Sequence, residues 1–469
     1  MNKAVTLLIT LLLLCALKTA AQTKVQVAQV DALMKQWSTG ESPGAAVLVL
    51  RDGRVLLAKG YGLADIESKE AITTRTVFDL ASVSKQFTAM SIMLLAGRGR
   101  LSLDDALSKY FPELPAYARG VTIRNLLNHT SGVPDYPRLF IMSGRIKPTW
   151  QKDWGDWEAG AFQPTNADVL ALLAAQQSPD FAAGERWAYS NSNYVLLALL
   201  VERVSGKSFP QFLKENIFQP LGMKSSFVAG GAQLTPKRAT RYDRTAAGYK
   251  AIRATPFDLI YGDGNVHASV EDLAKWDQAL YTERLVKAAL LRQAFASGSL
   301  KGGARTGYGF GWVLDKYFGL EMLYHEGGGT GFNSFIMRLP TERFTVIVLS
   351  NFARFNPFIT GRKLARIYIA DKLSLPVAVK LAPEALRSYV GRYQFTPPLT
   401  GEVRLEGNTL HAQLPGQPEM TLLPLSETGF FVKGDEDTTL TFHKDPSGKV
   451  TGVTVLQVDV SSNGRRLEN

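Results

Sequence analysis

The chain has 469 residues, 45% of them apolar, with a net charge of +11 and a single cysteine. That length suits one large domain and a smaller one. The basic excess is dispersed, with no dense Lys/Arg tract interleaved with aromatics, so it reads as a solvated surface and argues against a nucleic-acid partner.

The first residues are MNKAVTLLITLLLLCALKTAAQ. Lys3 precedes an apolar run from Ala4 to Leu17, and Thr19-Ala20-Ala21 supplies the small residues of a cleavage site. The pattern predicts a signal peptide over residues 1–21 and a secreted or periplasmic product, since the run is too short for a spanning helix. Cys15 lies inside this run, and Leu14 stands where a lipoprotein signal needs a small residue. Cleavage leaves a mature chain without cysteine, which excludes disulfides and thiolate metal sites. No other apolar stretch approaches membrane length, so no membrane span is expected in the mature chain.

Apolar spacing predicts a helix from Val25 to Trp37, followed by a hairpin, AAVLVLRDGRVLLAKGYG, turning at Asp52-Gly53. A buried helix follows, running through MSIMLLAGRG, and the pattern from Leu101 to Thr240 is mostly helical. NYVLLALLVERVSG is its clearest buried helix, closed by Gly206, and ASVEDLAKWDQALY reads as another, with Ser269 and Asp272 placed as a capping box. Strand-like runs return at YGFGWVLD, FNSFIMRLP and FTVIVLSNF. Strands at both ends with helices between predict an α/β sandwich, an antiparallel sheet flanked by helices plus an all-helical region, over residues 22–375. Pro376 and Pro383 bound an expected linker, 376–383. Residues 384–469 break into short alternating segments at intervals of about ten residues, which predicts a small antiparallel β domain or barrel.

The helix that begins near DLASVSKQF carries an anomaly. Ser82 is a plausible N-cap, but Lys85 stands three residues on, where a capping box needs Glu or Gln and the helix dipole favours an anion. Burial and the dipole both disfavour a charged amine there, and a neutral amine beside a hydroxyl is a general base beside a nucleophile. Two further stretches add to this. ERWAYSNSNY puts Tyr189, Ser190 and Asn191 in a polar loop before a buried helix: a tyrosine hydroxyl can relay a proton and an asparagine can orient a lysine or a carbonyl. YHEGGGTGF sets Gly327, Gly328 and Gly329 at the entry to a strand, where a ligand can approach free amides, as an oxyanion hole requires. Taken alone, each stretch reads more readily as capped helix, packed aromatic or flexible turn. There is no H-E-x-x-H and no G-x-S-x-G, and the five histidines are scattered, so neither a metal nor a cofactor is expected.

In this order and spacing the three stretches resemble the serine β-lactamase/penicillin-binding superfamily. The branch is the one holding class C β-lactamases, D-Ala-D-Ala carboxypeptidases and related esterases and D-aminopeptidases. The resemblance covers roughly residues 25 to 370 and includes LSLDDALSKYFPELP, TIRNLLNHTSGVPDY and ASVEDLAKW. It implies that Ser82 is the acylated nucleophile, Lys85 its activator and Tyr189 the catalytic tyrosine, with Asn191 third in the Y-x-N motif and oxyanion amides from Ser82 and Gly328. Penicillin-active members carry Lys-Thr-Gly on the strand edge, and this chain has His325-Glu326-Gly327. Losing that cation, with Glu326 beside it, weakens recognition of anionic substrates. Histidine there is familiar among the esterase and peptidase relatives. The resemblance gives His129 a structural role rather than that of a triad base, and His267 reads as a loop residue. Trp150, Trp154 and Trp157 are expected either as a lid over the cleft or as packing.

The C-terminal β domain resembles the lipocalin-like tails of some relatives and has no motif of its own. Its expected roles are stabilising the chain, forming a homo-oligomer or gating the cleft. The leading expectation is a secreted serine hydrolase that cleaves an ester or amide of a small-molecule or peptide substrate through a Ser82 acyl-enzyme. The alternatives are a class C-type β-lactamase or D-Ala-D-Ala carboxypeptidase, and a non-catalytic binding or scaffold protein of the same fold. The intact Ser82, Lys85 and Tyr189 argue against the last.

Overall fold

The turn at Asp52-Gly53 forms as its sequence dictates: both residues take positive φ, 51° and 75°, the mirror-image turn whose twist matches the flanking strands. It joins β1 (Ala45–Arg51) to β2 (Arg54–Tyr61). The computed structural model describes residues 24–146, 162–229, 238–329, 331–396, 399–416, 419–457 and 460–468. Residues 1–21, predicted as a signal peptide, and Trp150, Trp154 and Trp157 lie outside the described residues. The helix predicted to Trp37 is α-helical over residues 24–33 and tightens to a 3₁₀ turn at Lys35–Trp37.

The chain divides into two units, Met1–Ile369 and Ala370–Asn469. In the first, β3 (Val313–Tyr317), β4 (Leu320–Gly329), β5 (Phe332–Leu339) and β6 (Phe344–Ser350) join the hairpin in a six-stranded sheet of order β3-β4-β5-β6-β1-β2. β1 and β6 are antiparallel along their whole length, from Ala45 opposite Ser350 to Arg51 opposite Phe344, so the two ends of the unit close one sheet. β6 is buried at every position, which requires cover on both faces. Along β5, Phe335 packs on Gly361 and Phe358 of α4 (Pro357–Ile369), whereas Arg338 reaches α3 (Val270–Ala279). Residues an odd number apart on a strand face opposite sides, so α4 and α3 cover opposite faces. In the helical region α1 (Lys85–Gly97) packs on α2 (Asn191–Ser205), both buried over most of their residues.

α3 starts with half of the expected capping box. Ser269 accepts from the Asp272 amide, but the Asp272 carboxylate turns away to Ser225 and Ser226. His267 is not in a loop: it lies in a strand, Val266–Ala268, is fully buried, and stacks on Phe227 at 4.8 Å.

The second unit is a closed barrel of eight antiparallel strands, from Gly391–Phe395 to Val460–Arg466, with Tyr393 pairing Arg466 at the seam. Its centre is filled by the rings of Tyr389, Tyr393, Phe430 and Phe442, with centroids 4.7–5.6 Å apart. Residues 376–383 do not stand apart from it. The Val379 amide bonds the Pro424 carbonyl, and Pro383 opens a short helix, Pro383–Arg387, whose Leu386 enters the barrel core. Among the described residues no helix is long and apolar enough to cross a membrane.

One buried ion pair holds α3 to the sheet. Arg338 Nε donates to Asp277 Oδ1 at 2.6 Å, both side chains are 1% exposed, and the guanidinium lies 4.4 Å from the Tyr281 ring centre. Removing one partner strands a buried charge. Asp277→Ala is expected to cost about 3–5 kcal/mol in urea unfolding of the chain, and Asp277→Leu with Arg338→Met to recover most of it.

Candidate active site

Ser82 sits in a 3₁₀ turn, Ala81–Ser84, that leads directly into α1. The turn is fixed from several sides. Asp79 Oδ1 accepts the Ala81 amide at 2.8 Å, Ser334 Oγ donates to the Leu80 carbonyl at 2.6 Å, and Ala81 is forced to φ +44°, a conformation an alanine rarely adopts. Ser82 caps nothing: the residue preceding the helix is Ser84, whose hydroxyl accepts the Val266 amide. The Ser82 hydroxyl instead lies 3.1 Å from Lys85 Nζ.

Lys85 is 0% exposed. Its Nζ donates to Asn191 Oδ1 at 2.9 Å and to the Asp263 carbonyl at 2.8 Å. Those two oxygens can only accept, whereas the Ser82 hydroxyl can also donate. A neutral amine has two N–H bonds and one lone pair. In that form, with the N–H bonds directed to the two carbonyls, the lone pair would face Ser82, the arrangement a general base needs.

The Tyr189-Ser190-Asn191 loop is braced by His129. The His129 carbonyl accepts the Ala188 amide, and Nδ1 takes the Ser190 amide and the Asn193 side chain, each at 3.2 Å. Burial holds His129 well below its ordinary pKa, so it is a neutral clamp and not a base for Ser82. The Tyr189 ring lies against His129 at 4.4 Å, with Lys85 Nζ 4.9 Å from its centre, and the Tyr189 hydroxyl meets no partner among the described residues.

The strand edge departs from expectation at two positions. His325 is 4% exposed and does not line the cleft; it lies behind it. Its Nδ1 lies 2.6 Å from the Glu326 carbonyl, which only accepts, so Nδ1 carries the proton and Nε2 accepts from the Tyr308 hydroxyl at 2.9 Å. Burial, reinforced by Lys85, lowers its pKa to about 3. Gly327 does not line the cleft either. A β-carbon there would stand 2.2 Å from both the Leu80 carbonyl and Ser334 Oγ, so this glycine lets the strand lie against the turn that carries Ser82. Gly328 lines the cleft with Ser82.

The cleft has a volume of about 420 Å³, and Ser82, Tyr189, Asn191 and Gly328 share its wall with four aspartates, Asp79, Asp135, Asp258 and Asp263. Asp258 is spent on Arg241 and Asp79 on the turn. Burial raises the pKa of Asp135 to about 6 and that of Asp263 upward. Sequence reasoning missed these carboxylates: Asp135 sits in GVPDY and Asp263 in YGDGN, and nothing in either stretch marks the residue as part of a site. A second hollow of about 420 Å³, beside the Arg241–Ile252 hairpin, holds none of the Ser82, Lys85 and Tyr189 group. Among the described residues no group of three or more His, Cys, Asp or Glu is placed to hold a metal.

Residues 28–370 match the family described as Beta-lactamase, and residues 375–469 match one described as Domain of unknown function (DUF3471). The chain belongs to the Beta-lactamase family and is a serine hydrolase of the kind that includes penicillin-binding proteins and D-aminopeptidases. It is 32% identical over 413 residues to "Penicillin-binding protein 4*" of Bacillus subtilis (strain 168), covering 82% of this chain and 87% of that protein. It is 31% identical over 318 residues to a D-aminopeptidase of Brucella anthropi, covering 66% of this chain but only 56% of that longer protein. Among solved structures, the octameric penicillin-binding protein homologue from Pyrococcus abyssi shares the fold at TM-score 0.62 and 24% identity, over 95% of this chain and all of that one. The D-amino acid amidase from Ochrobactrum anthropi SV3 does so at TM-score 0.59 and 23% identity, over 73% and 96%.

Gly327→Ala tests the spacing of strand and turn. Relieving its contacts moves the turn by about 1 Å, and turnover of any cleavable ester is expected to fall about 10²-fold while the fold survives. Wild-type turnover would show that the turn tolerates the shift.

Proposed function

We propose that the chain is a secreted serine amidohydrolase acting on small amides or peptides that carry a free amine, through an acyl-enzyme on Ser82. The observation that carries the chemistry is the buried lysine whose Nζ lies 3.1 Å from Ser82 Oγ and meets two pure acceptors, Asn191 Oδ1 and the Asp263 carbonyl, so that its neutral form would turn a lone pair to the serine. Ser82 Oγ attacks the substrate carbonyl carbon and its proton passes to Lys85. The Ser82 and Gly328 amides take the oxyanion charge, and Tyr189, whose hydroxyl is otherwise unpartnered, carries a proton to the departing amine. Water then cleaves the acyl-serine ester, returning the serine and releasing the acid. Secretion rests on the N-terminal pattern from Lys3 to Ala21.

The substrate class follows from charge. The cleft presents carboxylates, and His325, behind it, has both nitrogens engaged and carries no positive charge at neutral pH. An ammonium is favoured there and a carboxylate is not. D-configured amino-acyl amides are the first candidates, since relatives at 31% identity are named D-aminopeptidases. A penicillin-active enzyme is the second reading, favoured by the 32% identity to Penicillin-binding protein 4*.

The experiment measures D- and L-amino-acid p-nitroanilides with free and with N-acetylated amines, a neutral p-nitrophenyl ester and nitrocefin. The free D-amine should be preferred, and acetylation should lower kcat/KM by about 10- to 100-fold, the loss of a charged hydrogen bond. That preference should shrink as pH falls through about 6, where Asp135 takes up a proton and the cleft loses negative charge. Ser82→Ala should abolish turnover and fluorophosphonate labelling. Lys85→Arg should be nearly as damaging, because arginine cannot give up a proton. Preference for nitrocefin in the wild type would overturn the substrate class and leave the nucleophile standing.

His325→Lys would bury an ammonium behind the cleft beside Tyr308 instead of facing a substrate, so it is expected to lower turnover of the neutral ester and of nitrocefin together. A rise in the nitrocefin-to-ester ratio would show that this position reaches the cleft.

A further inference from the structure

Two helices at the site forgo their usual caps. Asp135 occupies the position before the short helix Tyr136–Met142, where aspartate is a preferred cap, yet its carboxylate makes no bond to that helix. Ser190 stands in the same position before α2, and its hydroxyl is buried without capping. The exchange is reciprocal: Asp135 Oδ1 accepts the amide of Asn191, the first residue of α2, at 2.7 Å. Two further bonds stitch the same segments together. The Tyr136 amide donates to Ser192 Oγ at 2.8 Å, and that hydroxyl donates to the Pro134 carbonyl at 2.7 Å. One residue on, the Tyr136 hydroxyl donates to Asp263 Oδ2 at 3.0 Å.

Asn191 and Asp263 are the two residues whose oxygens take the N–H bonds of Lys85. We propose that the dipeptide Asp135-Tyr136 is a positioning element that fixes both acceptors of Lys85, Asn191 through the Asp135 carboxylate and Asp263 through the Tyr136 hydroxyl. The proposal rests on the reading of Lys85 as the base for Ser82. Without the clamp, either oxygen can drift and the lysine lone pair is no longer held on the serine. The two residues act through Lys85 and need not touch the acyl group, so their loss falls on acylation and not on substrate affinity.

The experiment uses the full chain with a neutral p-nitrophenyl ester and a fluorophosphonate probe, which exclude any contribution from a substrate ammonium. Asp135→Ala should lower kcat and the labelling rate at least 100-fold with KM changed less than threefold. Asp135→Asn keeps an oxygen that can accept the Asn191 amide and should recover about tenfold of that loss. Tyr136→Phe, which removes only the hydroxyl, should lower kcat about tenfold at unchanged KM. Circular dichroism checks that each variant is folded. Should Asp135→Ala fail to fold, Asp135→Asn and Tyr136→Phe still decide the matter, because both keep the side-chain volume. Equal ester turnover by Asp135→Ala and Asp135→Asn, or wild-type kcat in Tyr136→Phe, would overturn the proposal. Labelling that survives Ser82→Ala would instead overturn the underlying reading of the nucleophile, so the two failures are distinguishable.

Discussion

The burial of one amine organises this molecule. Lys85 Nζ has no access to solvent and is met by oxygen on three sides, from the 3₁₀ turn, from α2 and from the segment at Asp263. A buried nitrogen without partners is costly, so the three elements must converge on it. The convergence gathers the cleft: Asn191 brings Tyr189 with it, and Asp263 brings the acidic wall. The same constraint that satisfies a buried polar group thus assembles a nucleophile, a base and a hydroxyl around one point.

Charge is partitioned across the site with similar economy. The cleft wall carries aspartates, and two of them, Asp135 and Asp263, are pushed upward in pKa by burial. Behind the wall, rings of His129, Tyr189, Tyr194, Tyr308 and His325 pack on one another, and both histidines are held neutral. Lys85 sits at the boundary between the two zones. The polarity of the site is therefore set by which groups are kept uncharged as much as by which are charged.

Much of this was legible in the sequence. The Asp52-Gly53 turn, the helix after Asn191 and the meander of short strands after residue 384 have local signals, because each depends on turn chemistry or on periodicity. Ser82, Lys85 and Tyr189 were legible as a set, since the lysine contradicts ordinary capping. What the sequence hid depends on contacts between distant segments. His325 looked like a wall residue, but the Tyr308 hydroxyl, seventeen residues before it in the chain, draws it behind the cleft. His267 looked like loop because its strand is three residues long and pairs with Asp79 and Phe227, far away in sequence. Asp135 carried no signal of its own in GVPDY, and only the fold reveals that its carboxylate serves a helix other than the one it precedes.

Gly327 separates two kinds of position on the same strand. Its missing side chain is a matter of clearance between two backbones, so no choice of chemistry at that residue can substitute for the space it leaves. Glu326, immediately before it, is exposed and bears no such steric demand, so the polarity of its side chain can change while the distance from strand to serine stays constant. A scaffold built this way can change the charge of the molecules it accepts without disturbing the geometry of bond cleavage. One invariant gap keeps the reaction in place while its neighbours are redrawn.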